Sequence, residues 1–560
     1  MLRLGGRLEA DSPVQGGQRC SCATGAFLAF FTGIVYLLLR PPLFDYDGYL
    51  DYLTAFAPFD YDRINPHHLL WYPAQTLLGK ALALFVRPSS AAFQVFGILA
   101  GSATLLFLYR LLRRASQNTF LAAALVLFVG LSPNFWFMTL QNRTYAVVYL
   151  LVVLYFGAWP CEGGGPPSML QLLAAGLTVT GAIFLHQAAA LMVPAGVLTL
   201  FISGREPTRT RLLHGLVWGG TVGIVVLATY LAVAHFADVR DFRGFRAWTT
   251  AYLHNQHSAQ ICAPESLCKG AMGVVRTIVQ TSKLEQYLRS HFTARAICTI
   301  YGALAFGGLL VVFLGFLTKR ARDRLRELAH DNLLFAVCLL SMITWGLFAL
   351  AWEPSGRYWG VSVLSLVVCM SFLLRGATPK QTVLLSVPLL LLSGWNVHAN
   401  HQSDRDYSIV FPEPWLDTIQ EQLGSKDVFI VLDRDWLSGM DYALLLECLD
   451  THPRSPALSI LRGFVLNPAM QPGWSQKLQD QIDSTLAGGG RVLVANHVFL
   501  PGSYTSLSRQ DNPFAEYIRQ EFVGTDASML RQQVERVFQN YRVVPSRLKI
   551  GSDLYWELKR

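Results

Sequence analysis

Runs of roughly 20 apolar residues recur along this chain, each long enough for a helix to cross the hydrocarbon core of a bilayer. The stretches 23–40 and 332–351 are examples. No other feature restricts the fold so strongly. A backbone inside lipid must satisfy its own N–H and C=O groups, which leaves helices or closed barrels, and runs of this length are helical. Candidate spans lie near 23–40, 91–112, 119–137, 143–160, 168–185, 187–203, 213–235, 296–317, 332–351, 359–375 and 381–397. The stretch 66–86, opening NPHHLLWYPAQ, is only moderately apolar in its first half. Hydrophobic residues make up 52% and charged residues 15%, where a soluble chain carries about a quarter charged. The expectation is a polytopic α-helical membrane protein with about eleven transmembrane helices. The formal charge of +9 does not point to nucleic acid, because Lys and Arg collect in cytoplasmic loops of such proteins.

The positions of the charges orient the chain. Arg3, Arg7 and Arg19 place the N-terminus inside, and no small-residue cleavage site follows the first apolar segment, so it reads as a retained helix. If 66–86 does not cross, then Arg110, Arg113 and Arg114, the Arg205–Arg211 cluster, the run Lys319–Arg326, and Arg375 with Lys380 all fall in the cytoplasm. If it crosses, all of them move outside, against the positive-inside rule. The stretch 66–86 is therefore expected to be an interfacial or re-entrant helix on the outer face. That face then carries residues 41–90, Gln141–Tyr145, Phe184–Gln187, the loop 236–295, Trp352–Trp359 and everything after about residue 398. Of the nine cysteines, Cys298, Cys338 and Cys369 sit in apolar runs as small core residues, and Cys262 and Cys268 share a loop in which they could pair.

Two domains follow: a membrane domain over 1–400 and an extracytoplasmic α/β domain over 401–560. In the latter, Lys426–Trp436 and Gly488–Phe499 each read as a buried strand with a polar loop, and Pro414–Leu423 reads as helix-like. Gly488, Gly489 and Gly490 precede their strand, whereas a dinucleotide fingerprint follows one, so no cofactor is assigned there. Asp433, Asp435 and His497 sit at strand ends, more simply as solvated loop residues than as a site.

The polar stretch Phe44–Pro73 holds Asp45, Asp47, Asp60, Asp62, His67 and His68 between two apolar segments. Tyr49, Leu53 and Phe56 give a short helix with one apolar stripe, suited to a membrane surface. Asn65 and Pro66 read as an N-cap followed by proline at the first helical position. His67 and His68 then fall in a first turn, where free N–H groups favour an anion such as phosphate. Adjacent histidines on a helix point in different directions, which makes them a poor metal pair. Asp45 and Asp47, in D-x-D spacing, would instead suit Mg²⁺ or Mn²⁺.

This layout resembles the GT-C superfamily of integral-membrane glycosyltransferases. Those enzymes carry an acidic motif in the first outer loop, then interfacial helices, and often an extracytoplasmic C-terminal domain. Asp45-Tyr46-Asp47 would be the acidic motif. NPHHLLWYP is similar to an interfacial segment that often reads His/Pro-Pro-Leu-Tyr, with Asn-Pro-His-His in its place. Trp352–Trp359 looks like a late outer loop with an Arg-Tyr pair, here Arg357 and Tyr358. The likeness covers residues 1–400 by layout. It implies transfer of a sugar from a polyprenyl-phosphate donor to a glycan, lipid or protein acceptor. Asp45 or Asp47 would be the general base and Arg357 would face the phosphate. Asp60, Asp62, His67, His68, Arg143, His186, Glu353 and Tyr358 complete the expected substrate-binding set. Each has a plainer reading: Asp60 and Asp62 as helix caps, Glu353 and Arg357 as an i, i+4 pair, His186 as a satisfied interfacial residue. Several relatives work without metal, so Mg²⁺ or Mn²⁺ stays open. Short cytoplasmic loops fit a bacterial inner membrane. The rival functions are a transporter or flippase of a lipid-linked substrate, and a non-catalytic scaffold. Polar residues gathered at one interface, and not at the bilayer midplane, argue against transport.

Overall fold

The computed structural model describes residues 13–41, 66–84, 90–141, 144–161, 167–202, 207–236, 241–255, 264–281, 332–351, 356–408, 426–431, 457–460, 474–495, 527–550 and 553–560, with a few single positions between them. The chain divides into two units: one of residues 1–81, 91–249 and 259–405, the other of 82–90, 250–258 and 406–560.

Every expected span within the described residues is helical. In chain order the elements lying wholly or mostly in the first unit are α1 (Pro13–Leu39), a 3-10 turn (Pro66–His68), α2 (Trp71–Ala83), α3 (Ser90–Ser116), α4 (Thr119–Gly130), α5 (Pro133–Leu140) and α6 (Thr144–Ala158). There follow α7 (Met169–Leu185), a 3-10 turn (Gln187–Leu191), α8 (Met192–Ile202), α9 (Thr208–Phe236), α10 (Phe242–Asn255) and α11 (Pro264–Ile278). The last are α12 (Leu333–Ala351), a 3-10 turn (Gly356–Trp359), α13 (Gly360–Leu373) and α14 (Pro379–Ser408). Of the candidate span 296–317 only four positions are described, and the basic run 319–326 lies outside the described residues.

Among the described residues, α3, α9, α12 and α14 are long and apolar enough to cross a membrane, and α4 with α5 makes a fifth if the bent pair is one span. The chain is an integral membrane protein. α2 is not in that group; its 13 residues rise about 20 Å, short of the hydrocarbon thickness. Apolarity all round a helix marks burial inside protein or contact with lipid, and both occur. On α6 and α13, Val148, Val152, Phe156, Val361, Leu364 and Val368 are buried. On α1, α9 and α14, Phe30, Leu38, Ile224, Leu227, Leu384 and Leu391 are exposed, as a hydrocarbon-facing surface requires.

The candidate span 119–137 is bent. α4 and α5 meet at 60° because Pro133, at the start of α5, cannot donate to the preceding turn. Ser132 satisfies the break by donating its hydroxyl to the Val129 carbonyl at 2.7 Å. α3 approaches α5 closely through Gly97, where an added Cβ would strike the Thr139 carbonyl oxygen. Small residues serve this role where helices meet in membranes. Asn118 caps α4 through Leu121 N–H at 3.1 Å and ties it to α14 by donating to Thr382 at 3.0 Å.

The second unit holds a mixed five-stranded sheet in the order β2-β1-β3-β5-β4. Its strands are β1 (Val428–Val431), β2 (Ala457–Ile460), β3 (Val492–Ala495), β4 (Arg542–Ile550) and β5 (Asp553–Lys559). β1 is parallel to β2 and β3, while β5 is antiparallel to β3 and β4. Val428, Ile430, Val492 and Val494 pack with Leu478 and Ile482 of α15 (Trp474–Ala487) and with Val534 and Phe538 of α16 (Ala527–Phe538). β1 and β3 fall inside the two stretches read as strands. The three glycines serve the backbone: Gly489 takes φ +74° just past α15, a conformation that glycine adopts at little cost. Asp433, Asp435, His497 and the helix-like stretch 414–423 lie outside the described residues.

Candidate functional site

The expected helix start at Pro66 takes a tighter form. Pro66–His68 is a single 3-10 turn, and the α-helix begins only at Trp71. The last carbonyls of a helix have no partner within it, and this turn docks onto those of α7. Leu70 N–H donates to the Phe184 carbonyl at 2.9 Å, and His68 Nδ1 lies 2.9 Å from the Leu185 carbonyl. His186 follows directly in extended backbone, φ −154° and ψ 111°. Its N–H donates to Ala182 O at 2.8 Å, and its Nδ1 accepts from Ala188 N–H at 3.2 Å. It thus ends α7 and opens the next 3-10 turn.

Three imidazoles meet at this junction. Ring centroids stand 4.6 Å apart for His67 and His68, 4.4 Å for His67 and His186, and 5.0 Å for His68 and His186. One nitrogen from each ring lies within 4.8 Å of the others. His67 and His186 are buried and His68 is half-buried. The expectation that adjacent histidines diverge is therefore corrected. It assumes α-helical geometry, whereas a 3-10 turn ends at His68 and His186 enters from another element.

Tyrosines line the cluster. Tyr145, in the first turn of α6, places its hydroxyl 2.6 Å from His186 Nε2. Tyr358 packs its ring 5.9 Å from His186 and 6.2 Å from Tyr145, and its turn is tethered by Trp345 Nε1–H donating to the Tyr358 carbonyl at 2.5 Å. One helical turn beyond Tyr145, Tyr149 donates to Asn134 Oδ1 at 2.7 Å.

Burial, followed by the neighbouring histidines, holds the His67 and His186 pKa values well below the ordinary imidazole value. Both rings are neutral at pH 7. Hydrogen bonding then sets the tautomers. The Leu185 carbonyl only accepts, so His68 carries its proton on Nδ1. Ala188 N–H only donates, so neutral His186 carries its proton on Nε2 and gives it to the Tyr145 oxygen.

Of the residues expected at a site, the fold brings together His67, His68, His186 and Tyr358. Arg357 lies in the same 3-10 turn as Tyr358. Asp45, Asp47, Asp60, Asp62, Arg143 and Glu353 lie outside the described residues. The chain entering the acidic loop is nevertheless anchored. Buried Gln94 of α3 accepts from Arg40 Nη1 at 2.7 Å and donates to the Pro41 carbonyl at 2.9 Å. Tyr145 is the participant that sequence reasoning did not single out. The polar stretch Gln141–Tyr145 at a helix start was its available signal.

No family model and no curated protein matches the chain. Among solved structures, it is similar to ArnT from Cupriavidus metallidurans bound to undecaprenyl phosphate, at 11% identity and TM-score 0.48, over 97% of this chain and 98% of that one. It is similar to the archaeal oligosaccharyltransferase AglB from Archaeoglobus fulgidus in complex with an inhibitory peptide and a dolichol-phosphate, at 12% identity and TM-score 0.45, over 95% and 74%. A further structure of the A. fulgidus oligosaccharyltransferase, in complex with Zn and sulfate, is similar at 12% identity and TM-score 0.45, over 87% and 70%. At such values a likeness of outline carries no correspondence between residues.

Proposed function

We propose that the protein is a membrane glycosyltransferase that moves a sugar from a polyprenyl-phosphate donor to an extracytoplasmic acceptor. The observation that carries this reading is the convergence of four polar segments expected on one face. Pro66–His68, Tyr145 with His186, and the turn containing Arg357 and Tyr358 meet within ring contact. Buried neutral histidines and tyrosines beside an arginine-bearing turn suit a polar headgroup brought in by an apolar tail.

In the proposed step, Asp45 or Asp47 takes the proton from the acceptor hydroxyl or amide. The acceptor atom bonds to the anomeric carbon, and the bond from that carbon to the phosphate oxygen breaks. The lipid phosphate leaves with the electron pair, and Arg357 meets its charge. The acidic loop and the second unit belong to the outer face of a bacterial inner membrane in this reading, and residues 1–400 form the transferase domain.

The test is binding of undecaprenyl phosphate to the purified protein, paired with transfer from polyprenyl-phosphate-linked sugars. Arg357→Ala should lose most of the binding. Asp45→Asn and Asp47→Asn should keep it, and one of them should lose transfer by about 10²–10⁴-fold, the usual worth of a general base. Full transfer by both aspartate variants would remove the base assignment. Absence of lipid-phosphate binding by the wild type would remove the donor class.

A further inference from the structure

We propose that His67, His68 and His186 form a three-imidazole site for a borderline divalent cation of the zinc class, separate from any magnesium-type site at the aspartates. The inference rests on the geometry of the three rings and does not depend on the transferase reading.

Three nitrogen donors from separate side chains lie within 4.8 Å of one another. Tetrahedral zinc, with Zn–N bonds near 2.05 Å, spaces its nitrogens by about 3.3 Å, so the widest gap closes by about 1.5 Å at most. His68, half-buried, is the least enclosed of the three rings. The donor chemistry selects the ion: imidazole suits Zn, Cu and Ni, whereas Mg and Mn prefer oxygen.

The outer partners follow the pattern by which proteins orient histidine ligands, with the remote ring N–H given to a fixed acceptor. His68 gives Nδ1–H to the Leu185 carbonyl at 2.9 Å, which leaves its lone pair on Nε2. His186 gives Nε2–H to the Tyr145 oxygen at 2.6 Å. Its Nδ1 accepts the long 3.2 Å bond from Ala188, the weaker of the two and the one that a metal at this nitrogen would replace. Three protein ligands leave the fourth tetrahedral position for a water or a ligand oxygen, as in catalytic rather than structural zinc sites.

The test uses full-length protein in detergent, stripped with a chelator, reloaded with Zn²⁺ or Co²⁺, freed of excess by gel filtration and assayed for metal by mass spectrometry. The expected result is about one ion per chain, with Co²⁺ showing the visible bands of a tetrahedral nitrogen site and a large excess of Mg²⁺ or Mn²⁺ failing to displace zinc. His68→Gln and His186→Gln should each weaken retention by about tenfold or more, and His68→Cys, which restores a zinc ligand, should recover it. Asp45→Asn and Asp47→Asn should leave it unchanged. Should His186→Gln fail to fold, the His68 pair of variants decides the matter. A wild type that keeps no metal, zinc retained equally by the histidine variants, or zinc lost only with the aspartates would each overturn the proposal.

Discussion

At the scale of single residues, Tyr145 and His186 make a pair whose worth can be measured. Both are buried, and His186 Nε2–H has the Tyr145 oxygen as its partner at 2.6 Å. Tyr145→Phe keeps the ring packing and leaves that N–H without an acceptor, a loss of about 1–3 kcal/mol. The thermal midpoint of the detergent-solubilised protein should fall. Adding His186→Phe should cost less than the sum of the two single changes, because the orphaned donor is removed as well. Strict additivity would mean that the two side chains do not interact. The members of this cluster, Tyr145 apart, are legible in the sequence. His67, His68, His186 and Tyr358 stood out as polar residues at the ends of apolar runs. Their mutual distances were not readable, because ring contact between His67 and His186 depends on how one short turn docks onto the end of α7. Sequence adjacency argued against a His67–His68 pair for the same reason: it supplies a helical template, and the turn does not follow it.

At the scale of elements, the helices were legible because hydropathy is a collective signal, and one misplaced polar residue does not erase twenty apolar ones. The break within 119–137 was harder to see. Its cause, Pro133, sits between Ser132 and Asn134 within a long and mostly apolar stretch, and Pro388 shows that a proline can also lie within a helix, α14. Packing distances between helices are less legible still. Gly97 and Gly223 look alike as glycines in apolar helices, yet a Cβ at Gly97 meets the Thr139 backbone, and one at Gly223 meets nothing within 4 Å. Gly97→Ala should therefore force α3 away from α5 and cost about 1–3 kcal/mol. Gly223→Ala should be neutral or stabilise α9 by up to about 1 kcal/mol through helix propensity. Chemical unfolding in detergent compares the two directly, and equal effects would mean that α3 and α5 do not approach as described.

At the scale of the whole molecule, the division into a helical membrane unit and a sheet-bearing unit follows the composition of the two regions. The β4–β5 pair escapes periodicity, because β4 contains Pro545, which belongs on a strand paired on one side only, and among the described residues β4 pairs with β5 alone. The sheet carries its own pH sensitivity. Asp427 leads into β1, and its carboxylate accepts from Gly424 N–H at 2.9 Å, Arg491 N–H at 2.8 Å and the Arg491 guanidinium at 2.6 Å. Burial works against the charge, but the Arg491 guanidinium and the backbone donors outweigh it and hold the Asp427 pKa below the ordinary carboxylate value. A carboxyl whose pKa is lower when folded stabilises the fold fully above its unfolded pKa, and that contribution disappears as pH falls through the folded value. Arg491 is partly exposed, so its share is modest, and the whole set is worth about 1–2 kcal/mol. Asp427→Asn should thus raise hydrogen exchange in β1 and β3 at pH 7, while exchange in α6 and α13 stays unchanged. Below the folded pKa, variant and wild type should converge, since the wild-type carboxyl is then neutral as well. A difference that persists undiminished in acid would assign the effect to lost hydrogen-bond geometry instead of lost charge.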